Sequence, residues 1–290
     1  KFKKLYSKIF KKEKIMSRLL IPLSGQASKS LSKGTGLVIA PDSHLHVMRY
    51  DFTHGLVANG LTVANGQGDT EVSVLNFPGS RNLLFQTNIG SRSAALTAKT
   101  KGTNIAGLVM CASNDDYEFA PYYQHTADGA AKIASTEYLN QNVFKVGTSP
   151  AFYMKTTVQV STVAQVTRLF MGFLRKGIHA ADVEDYTDAY GVSLVGTAIN
   201  EFIILNNAAT DENDTTINAG SDTNITVEVL VSDTGVCTAK VDGVDITALA
   251  PSAGMTFDDG DIVYPAVHAL LGSTTLSMSA FECGSQAADQ

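Results

Sequence analysis

The feature that most constrains the fold of this chain is a β-hairpin pattern close to residue 230. In Ile225–Val231 every second residue is isoleucine or valine, and the run Val236–Val241 follows after a short turn. A period of two directs alternate side chains to opposite faces of a sheet. Asp242-Gly243 then precedes Val244-Asp245-Ile246, and Asp-Gly favours a type I′ turn, in which both central residues have positive φ. The segment therefore predicts paired antiparallel strands.

Further strand-like segments recur along most of the chain. They are Gly36–Ala40, Leu45–Phe52, Thr70–Phe77, Asn82–Gln86, Ala106–Ala112, Phe152–Val160, Val166–Leu174, Ile199–Leu205, Met255–Phe257, Ile262–Val267 and Thr275–Cys283. Val166–Leu174 is apolar on both faces, which is typical of a central strand in a two-layer sandwich. The best helical candidate is Asp128–Gln141, where Asp128 can cap a short alanine-containing helix.

We therefore predict an all-β fold of two packed antiparallel sheets, with helix limited to short pieces. In the hairpin we expect Ile225, Val227 and Val229 to be buried on one face. Thr226 and Glu228 should be more exposed, because they occupy the alternate positions.

The order of the segments resembles a known family. A strand Phe152–Val160 is followed by one that ends Met171-Gly172-Phe173, then by Tyr186-Thr187-Asp188-Ala189, the turn Val241-Asp242-Gly243 and a last strand Thr275–Cys283. Over residues 106–283 this order is similar to the concanavalin-like (laminin-G-type) jelly roll of many bacteriophage virion proteins, including capsid decoration proteins and head or tail fibres. The resemblance implies a concanavalin-like jelly-roll sandwich. It implies no lectin activity, because matching ligand residues are not identifiable. The small, polar and aperiodic segment Ser24–Gly36 predicts an N-terminal extended arm before the sandwich.

Charge and composition divide the chain into a leader (1–15), an arm (16–44), a sandwich (45–284) and a C-terminal tail (285–290). Lys1–Met16 holds seven lysines and one glutamate, a net +6, so the rest carries −12 of the total −6. The leader fits either an amphipathic helix that meets a membrane or an acidic partner, or a non-native upstream extension. We expect the extension, because Met16-Ser17 resembles a natural start. An acidic body disfavours nucleic-acid binding, and without a long apolar run we expect no membrane span.

No catalytic constellation is evident. Hydrolases of this fold need two carboxylates that face one cleft, and the two central strands contain none. Glu228 is the single carboxylate of its strand, while Glu184-Asp185 and Asp188 are expected to be solvated loop charges. His268 is isolated in the sequence. Nucleophile-elbow, phosphate-loop and metalloprotease motifs are also absent, so we expect the protein not to be an enzyme.

Metal sites find little support in the sequence. His44 and His46 would share one face of a strand near His54, but we expect polar or interface histidines. Asp258-Asp259-Gly260-Asp261 and Asp211-Glu212-Asn213-Asp214 offer oxygen ligands for calcium. Turn chemistry explains both clusters, so we expect no cofactor and leave calcium open. Cys111, Cys237 and Cys283 are expected to be small buried apolar residues.

Two segments are candidate partner-binding sites. Leu19, Leu20 and Ile21 form an apolar anchor in the arm, which lacks a periodic apolar face of its own. The aromatic cluster that contains Tyr117, Tyr122 and Tyr123 could form a binding surface or be buried under the sandwich.

The favoured function is a non-enzymatic virion structural protein that decorates or cements the capsid through its arm. Its expected partners are capsid subunits, in a homo-oligomer or symmetric array, and its expected location is the virion, assembled in the host cytoplasm. The alternatives are a carbohydrate-binding (lectin-like) module of a phage fibre that recognises a host glycan, and a divergent glycan-active enzyme.

Overall fold

The computed structural model describes residues 47–51, 61–64, 70–76, 83–89, 108–112, 116–125, 136–139, 143–177, 182–249 and 254–285. In chain order its strands are β1 (Val47–Asp51), β2 (Leu61–Ala64), β3 (Thr70–Asn76), β4 (Leu83–Ile89), β5 (Leu108–Ala112), β6 (Asp116–Ala120), β7 (Tyr122–His125), β8 (Thr136–Leu139), β9 (Phe144–Lys145), β10 (Phe152–Val160), β11 (Val166–Arg175), β12 (Ala189–Val195), β13 (Ala198–Ile204), β14 (Asp211–Asn218), β15 (Asn224–Val231), β16 (Cys237–Val241), β17 (Val244–Asp245), β18 (Ile262–Leu271) and β19 (Thr275–Ser285). Single 3₁₀ turns occur at Val163–Gln165 and Val183–Asp185.

The strands form two antiparallel sheets and a small separate hairpin. The seven-stranded sheet has the order β1-β19-β10-β15-β16-β17, with β5 also paired to β19. The ten-stranded sheet has the order β14-β13-β12-β11-β18-β6-β4-β3-β2, with β9 also paired to β18, and β7 pairs with β8. This architecture confirms the predicted all-β jelly-roll sandwich. The predicted arm, with its strand at Gly36–Ala40, lies outside the described residues.

The hairpin prediction near residue 230 is confirmed in detail. Ile225, Val227 and Val229 are buried, whereas Thr226 and Glu228 are partly exposed. Strand β15 pairs with β16 from Val227–Val241 to Val231–Cys237, so the strand and its partner are in the expected register. Asp242 and Gly243 have φ values of 50° and 82°, as a two-residue type I′ turn requires.

The prediction of a helix at Asp128–Gln141 is wrong for Thr136–Leu139, the part of this segment that the structure describes. Thr136–Leu139 is strand β8, which pairs with β7 through Tyr123–Tyr138, and residues 128–135 lie outside the described part. Helix propensity is a weak preference, and strand pairing by Thr136 and Tyr138, residue types that favour strands, overrides it. Met255–Phe257 is likewise not a strand but a single bridge from Thr256 to Val236. Within the described ranges no helix is long and apolar enough to cross a membrane.

Strand β11 is the central strand that its composition predicts. It pairs with β12 on one side and β18 on the other. Its side chains Leu169, Met171 and Phe173 belong to the core between the two sheets. Phe173 also meets Phe152 of the opposite sheet edge-on, with ring centroids 5.1 Å apart. The alternate residues, Phe170 and Leu174, point away from that core and are equally buried in a second cluster.

Two glycines let β11 and β12 approach closely. Gly172 lies opposite Gly191, and a Cβ atom built on Gly172 would come within 2.2 Å of the Tyr190 carbonyl oxygen and 2.7 Å of the Phe170 ring. A Cβ on Gly191 would meet the Met171 carbonyl oxygen at 2.3 Å. Most of these atoms are backbone and cannot move independently of the sheet, so both positions require glycine.

We predict that Gly172→Ala lowers the free energy of unfolding by about 3–5 kcal/mol, because the added methyl group forces the backbones of two core strands apart. Denaturant unfolding of the purified protein measures the change. Gly177→Ala is the matched control, since the nearest atom to its Cβ would be 3.9 Å away, and it should change stability by less than about 0.5 kcal/mol. Equal effects of the two substitutions would contradict the proposed close approach.

A second prediction concerns the buried thiols. Cys237 and Cys283 are 2% and 0% exposed, and burial raises the pKa of each thiol. Both should resist alkylation in the native protein at mildly alkaline pH and react after unfolding, as mass spectrometry of labelled peptides would detect. Because the folded state favours the neutral thiols, their contribution to stability should persist below the unfolded pKa of about 8.5 and decline as pH rises above it. Rapid native labelling of Cys283 would refute this burial.

Candidate functional site

The most chemically varied surface of the described chain is the outer face of the ten-stranded sheet, the face that points away from the seven-stranded sheet. Residues 182–188, here called the strap, lie across this face between β11 and β12. Val183 and Tyr186 of the strap are 0% and 3% exposed. They pack in one cluster with Phe170, Leu174 and other outer-face residues. The strap therefore covers the sheet rather than forming a solvated loop.

Arg168 of β11 holds the beginning of the strap. Its guanidinium contacts Asp182 at 3.3 Å and Glu184 at 2.7 Å. It also contacts Glu212 of β14 at 3.2 Å, and the same Glu212 oxygen accepts a hydrogen bond from Ser193 Oγ at 2.9 Å. The Arg168 side chain is only 16% exposed, so these ion pairs are screened by water less than surface pairs are. One cation thus joins the strap to two strands of the sheet.

Arg175, at the other end of β11, holds the end of the strap. Its guanidinium lies 2.8 Å from Asp188 Oδ2 and 3.1 Å from Asp261 Oδ1. Asp188 Oδ1 also accepts a hydrogen bond from the backbone N–H of Asn206 at 2.6 Å. Asp188 is 2% exposed, so the prediction that it is a solvated loop charge is wrong. Buried carboxylates need such partners because an unpaired charge is costly away from water.

The Arg175 guanidinium also contacts the acidic cluster Asp258–Asp261, which the sequence offers as a possible calcium site. Asp258–Asp261 forms the predicted turn, in which the Asp261 N–H bonds to the Asp258 carbonyl oxygen at 3.0 Å. Burial raises the pKa of the Asp261 carboxyl, and Arg175 opposes that shift. Arg175 is therefore the positively charged partner of Asp261 in this structure. Among the described residues no group of three or more histidine, cysteine, aspartate or glutamate side chains is arranged to hold a metal.

Glu118 lies beneath the middle of the strap. It is fully buried and accepts a hydrogen bond from the Tyr186 hydroxyl. His268, which is isolated in the sequence, lies directly opposite Glu118 across β6 and β18 and is 1% exposed. Opposite residues in neighbouring strands have Cβ atoms about 4.5–5.5 Å apart, so the fold brings an acid and a base together under the strap.

Aromatic rings complete the floor of this site. Phe170 and Phe202 meet edge-on with centroids 5.1 Å apart, and the Arg168 guanidinium carbon lies 5.9 Å from the Phe202 ring centre. Ser193 and Asn200 continue the row of Glu118, His268 and Phe170 across the sheet. Polar groups beside aromatic faces could bind a polyhydroxylated ligand if the strap were displaced.

The predicted partner-binding residues have different positions. Tyr117 is 6% exposed and belongs to the core between the sheets, which matches the burial alternative rather than a binding surface. Tyr122 and Tyr123 are in strand β7 of the small hairpin. Leu19, Leu20, Ile21, His44, His46 and His54 lie outside the described residues.

One further prediction for acidic residues needs correction. Asp211–Asp214 is not a turn but the first half of β14, because it pairs with β13 from Ile203–Asp211 to Asn200–Asp214. Glu184 and Asp185 are exposed, as predicted for loop charges, although Glu184 also pairs with Arg168. Glu228, the single carboxylate of its strand, pairs with Lys155 at 3.1 Å.

Two fully buried glutamates, Glu118 and Glu201, are not among the residues predicted from the sequence. The sequence holds an indication of both, since Glu201 directly precedes the apolar run Phe202–Leu205 and Glu118 stands between Tyr117 and Phe119. A charged residue inside an apolar strand predicts either an exposed edge or a buried hydrogen-bonded group. Only the pairing of the strands shows that both glutamates are buried.

Comparisons with known proteins extend this description only at the level of architecture. No family model matches the chain, and no curated protein matches it. A protein of unknown function from Shewanella oneidensis MR-1 is similar in structure, with 11% identity, a TM-score of 0.43 and coverage of 91% of this chain and 98% of that chain.

Two functionally described structures are also similar. The Emp46p carbohydrate recognition domain has 7% identity, a TM-score of 0.44 and coverage of 63% and 84%. An alginate lyase from Corynebacterium sp. has 14% identity, a TM-score of 0.40 and coverage of 73% and 92%. Because one neighbour is a binding domain and another an enzyme, this likeness carries no argument about ligand or activity.

We predict that Arg168→Met lowers the free energy of unfolding by about 2–3 kcal/mol, because Asp182 and Glu212 lose a largely buried positive partner. The strap should also become a site of limited proteolysis. The control is Lys155→Met, whose ion pair with Glu228 is 48% and 41% exposed and should be worth less than about 1 kcal/mol. Urea unfolding and peptide mapping measure both effects. Unchanged resistance of the strap to proteolysis in Arg168→Met would show that Arg168 does not hold the strap on the sheet.

Proposed function

We propose that the protein is a non-enzymatic structural protein of a virion, which decorates or cements the capsid and is attached through its N-terminal arm. The sequence resemblance to phage virion jelly rolls motivates the proposal. Its partners are capsid subunits, in a symmetric array of copies, and its location is the virion.

The observation that carries the proposal is the strap, which covers the outer face of the ten-stranded sheet around Phe170 and Leu174 of β11. A binding or catalytic site built on Glu118 and His268 would need access to both residues, and both are buried. The acidic groups of the strap are paired with Arg168 and Arg175. Contacts with other molecules can be made without opening the strap by edges, loops and termini, which suits many weak contacts repeated over a symmetric particle.

The charge distribution supports attachment through a terminal segment. Ser17–Gln290 carries −12, and an acidic body repels its own copies on a shell unless contacts are specific. An arm with a short apolar anchor, Leu19-Leu20-Ile21, supplies such a contact at a defined point. Segments that cannot fold alone become ordered on binding a partner.

A second candidate function is glycan binding at the outer face. The observation in its favour is the floor beneath the strap, where Phe170 and Phe202 adjoin Ser193, Asn200 and His268. Sugar rings pack on aromatic faces while their hydroxyl groups bond to such polar side chains. This function requires that the strap leave the sheet.

Deletion of residues 16–40 separates the two functions. We predict that the shortened protein retains its cooperative unfolding transition and loses incorporation into particles assembled with the capsid subunits. Replacement of Leu19, Leu20 and Ile21 with serine should cause the same loss with the arm length unchanged. Sedimentation of the particles and quantification of the bound protein measure incorporation.

A glycan-binding module would respond differently. Arm deletion would leave glycan retention intact, and substitution of Tyr122 or Tyr123, or displacement of the strap by Arg168→Met, would alter it. Normal incorporation of the arm-deleted protein would defeat the docking role of the arm, and saturable glycan binding by the intact chain would favour the second candidate.

A further inference from the structure

A polar pair lies inside the sandwich, on the inner face of the ten-stranded sheet. Glu201 of β13 is directly opposite Asn213 of β14. The neighbour of Asn213, Glu212, bonds to Ser193 and Arg168 on the outer face, so strand alternation directs Asn213 to the inner face with Glu201. The two side chains therefore adjoin each other at the edge of the sheet, with Cβ atoms about 4.5–5.5 Å apart.

One carboxylate oxygen of Glu201 is fixed by neighbouring groups. The Tyr190 hydroxyl donates to Oε1 at 2.9 Å and lies 3.2 Å from Thr247 Oγ1. Thr247 Oγ1 accepts the backbone N–H of Ala239 at 3.0 Å, which ties the group to β16 of the opposite sheet. Burial raises the pKa of Tyr190, so its hydroxyl keeps the proton that it donates. These contacts orient the carboxylate and leave Oε2 free.

The remaining atoms are complementary and buried. Oε2 of Glu201 and Nδ2 of Asn213 are each buried without a hydrogen-bond partner, and Glu201 is 0% exposed. An unsatisfied buried polar group costs about 1–3 kcal/mol, and more when charged. Native proteins satisfy nearly all such groups. Here an acceptor and a donor lie side by side, so one small group can satisfy both.

We propose that Glu201 and Asn213 form a buried binding site for a hydroxyl group, which donates to Glu201 Oε2 and accepts from Asn213 Nδ2. Two sources have this chemistry, an internal water and the hydroxyl of a small alcohol or polyol. A cation alone would face the N–H groups of Asn213 unfavourably, and an anion would be repelled by the Glu201 carboxylate. The hydroxyl guest completes a network from β14 through Tyr190 and Thr247 to β16, and so joins the two sheets at this edge.

A high-resolution crystal structure of the full chain tests the site directly. We expect an ordered oxygen within about 2.5–3.2 Å of both Glu201 Oε2 and Asn213 Nδ2. Crystals grown without polyol and crystals soaked in glycerol distinguish the sources, because only an alcohol hydroxyl would bring carbon density into the site. A direct bond between the two side chains, or their pairing with other residues, would overturn the proposal.

Variants test the site in solution. Asn213→Leu and Glu201→Gln should each lower the Tm by roughly 2–8 °C, because the first removes the donor to the bridged group and the second replaces an acceptor oxygen with an N–H donor. The double variant should lose less than the sum of the single losses, since the groups share one guest. Asn218→Ala, an exposed change on the same strand, is the control and should leave the Tm unchanged. Additive losses in the double variant would show that the two side chains act separately and would refute the shared guest.

Discussion

The close contact of β11 and β12 at Gly172 and Gly191 is the constraint on which the rest of the sandwich depends. It allows the Phe170 ring to lie against Gly172 on one face, while Phe173 packs against Phe152 on the other. Strand β11 consequently has two buried faces, and each needs a cover. The seven-stranded sheet covers the inner face. The outer face is covered by the strap, whose charged ends are held by the two arginines of the same strand, Arg168 and Arg175.

Features that depend on local periodicity could be predicted from the sequence. The alternation in Ile225–Val231 predicts both the buried face and the pairing, and Asp242-Gly243 predicts the turn geometry, because each follows from residues adjacent in the chain. The two-sided apolar character of Val166–Leu174 likewise predicts a central strand. The helix predicted at Asp128–Gln141 fails because an alanine-rich composition gives only a weak helical preference, and the pairing of Thr136–Leu139 with Tyr122–His125 overrides it.

Features that depend on which strands become neighbours could not be predicted in this way. His268 and Glu118 are 150 positions apart in the sequence, and only the β6–β18 pairing makes them neighbours. Asp188 lies in a polar segment whose composition is typical of a solvated loop. In the structure it is buried, pairs with Arg175 and accepts a hydrogen bond from the Asn206 N–H. The sequence does not show which residue will pair with a charged residue in a loop. Much less of the candidate site than of the fold could therefore be predicted from the sequence.

Closure by the strap has an energetic consequence for the choice between functions. Burial of one large apolar side chain contributes about 1.5–3 kcal/mol, so exposing both Val183 and Tyr186 would cost about 3–6 kcal/mol. Breaking the ion pairs of Arg168 and Arg175 with the strap would add to this cost. A ligand that bound the floor would lose a factor of roughly 10²–10⁴ in affinity to that opening. Contacts made by an arm or by sheet edges involve no such opening, because they leave both covers of β11 in place. The strap therefore disfavours a ligand site on the floor beneath it, which is consistent with the structural role that we propose.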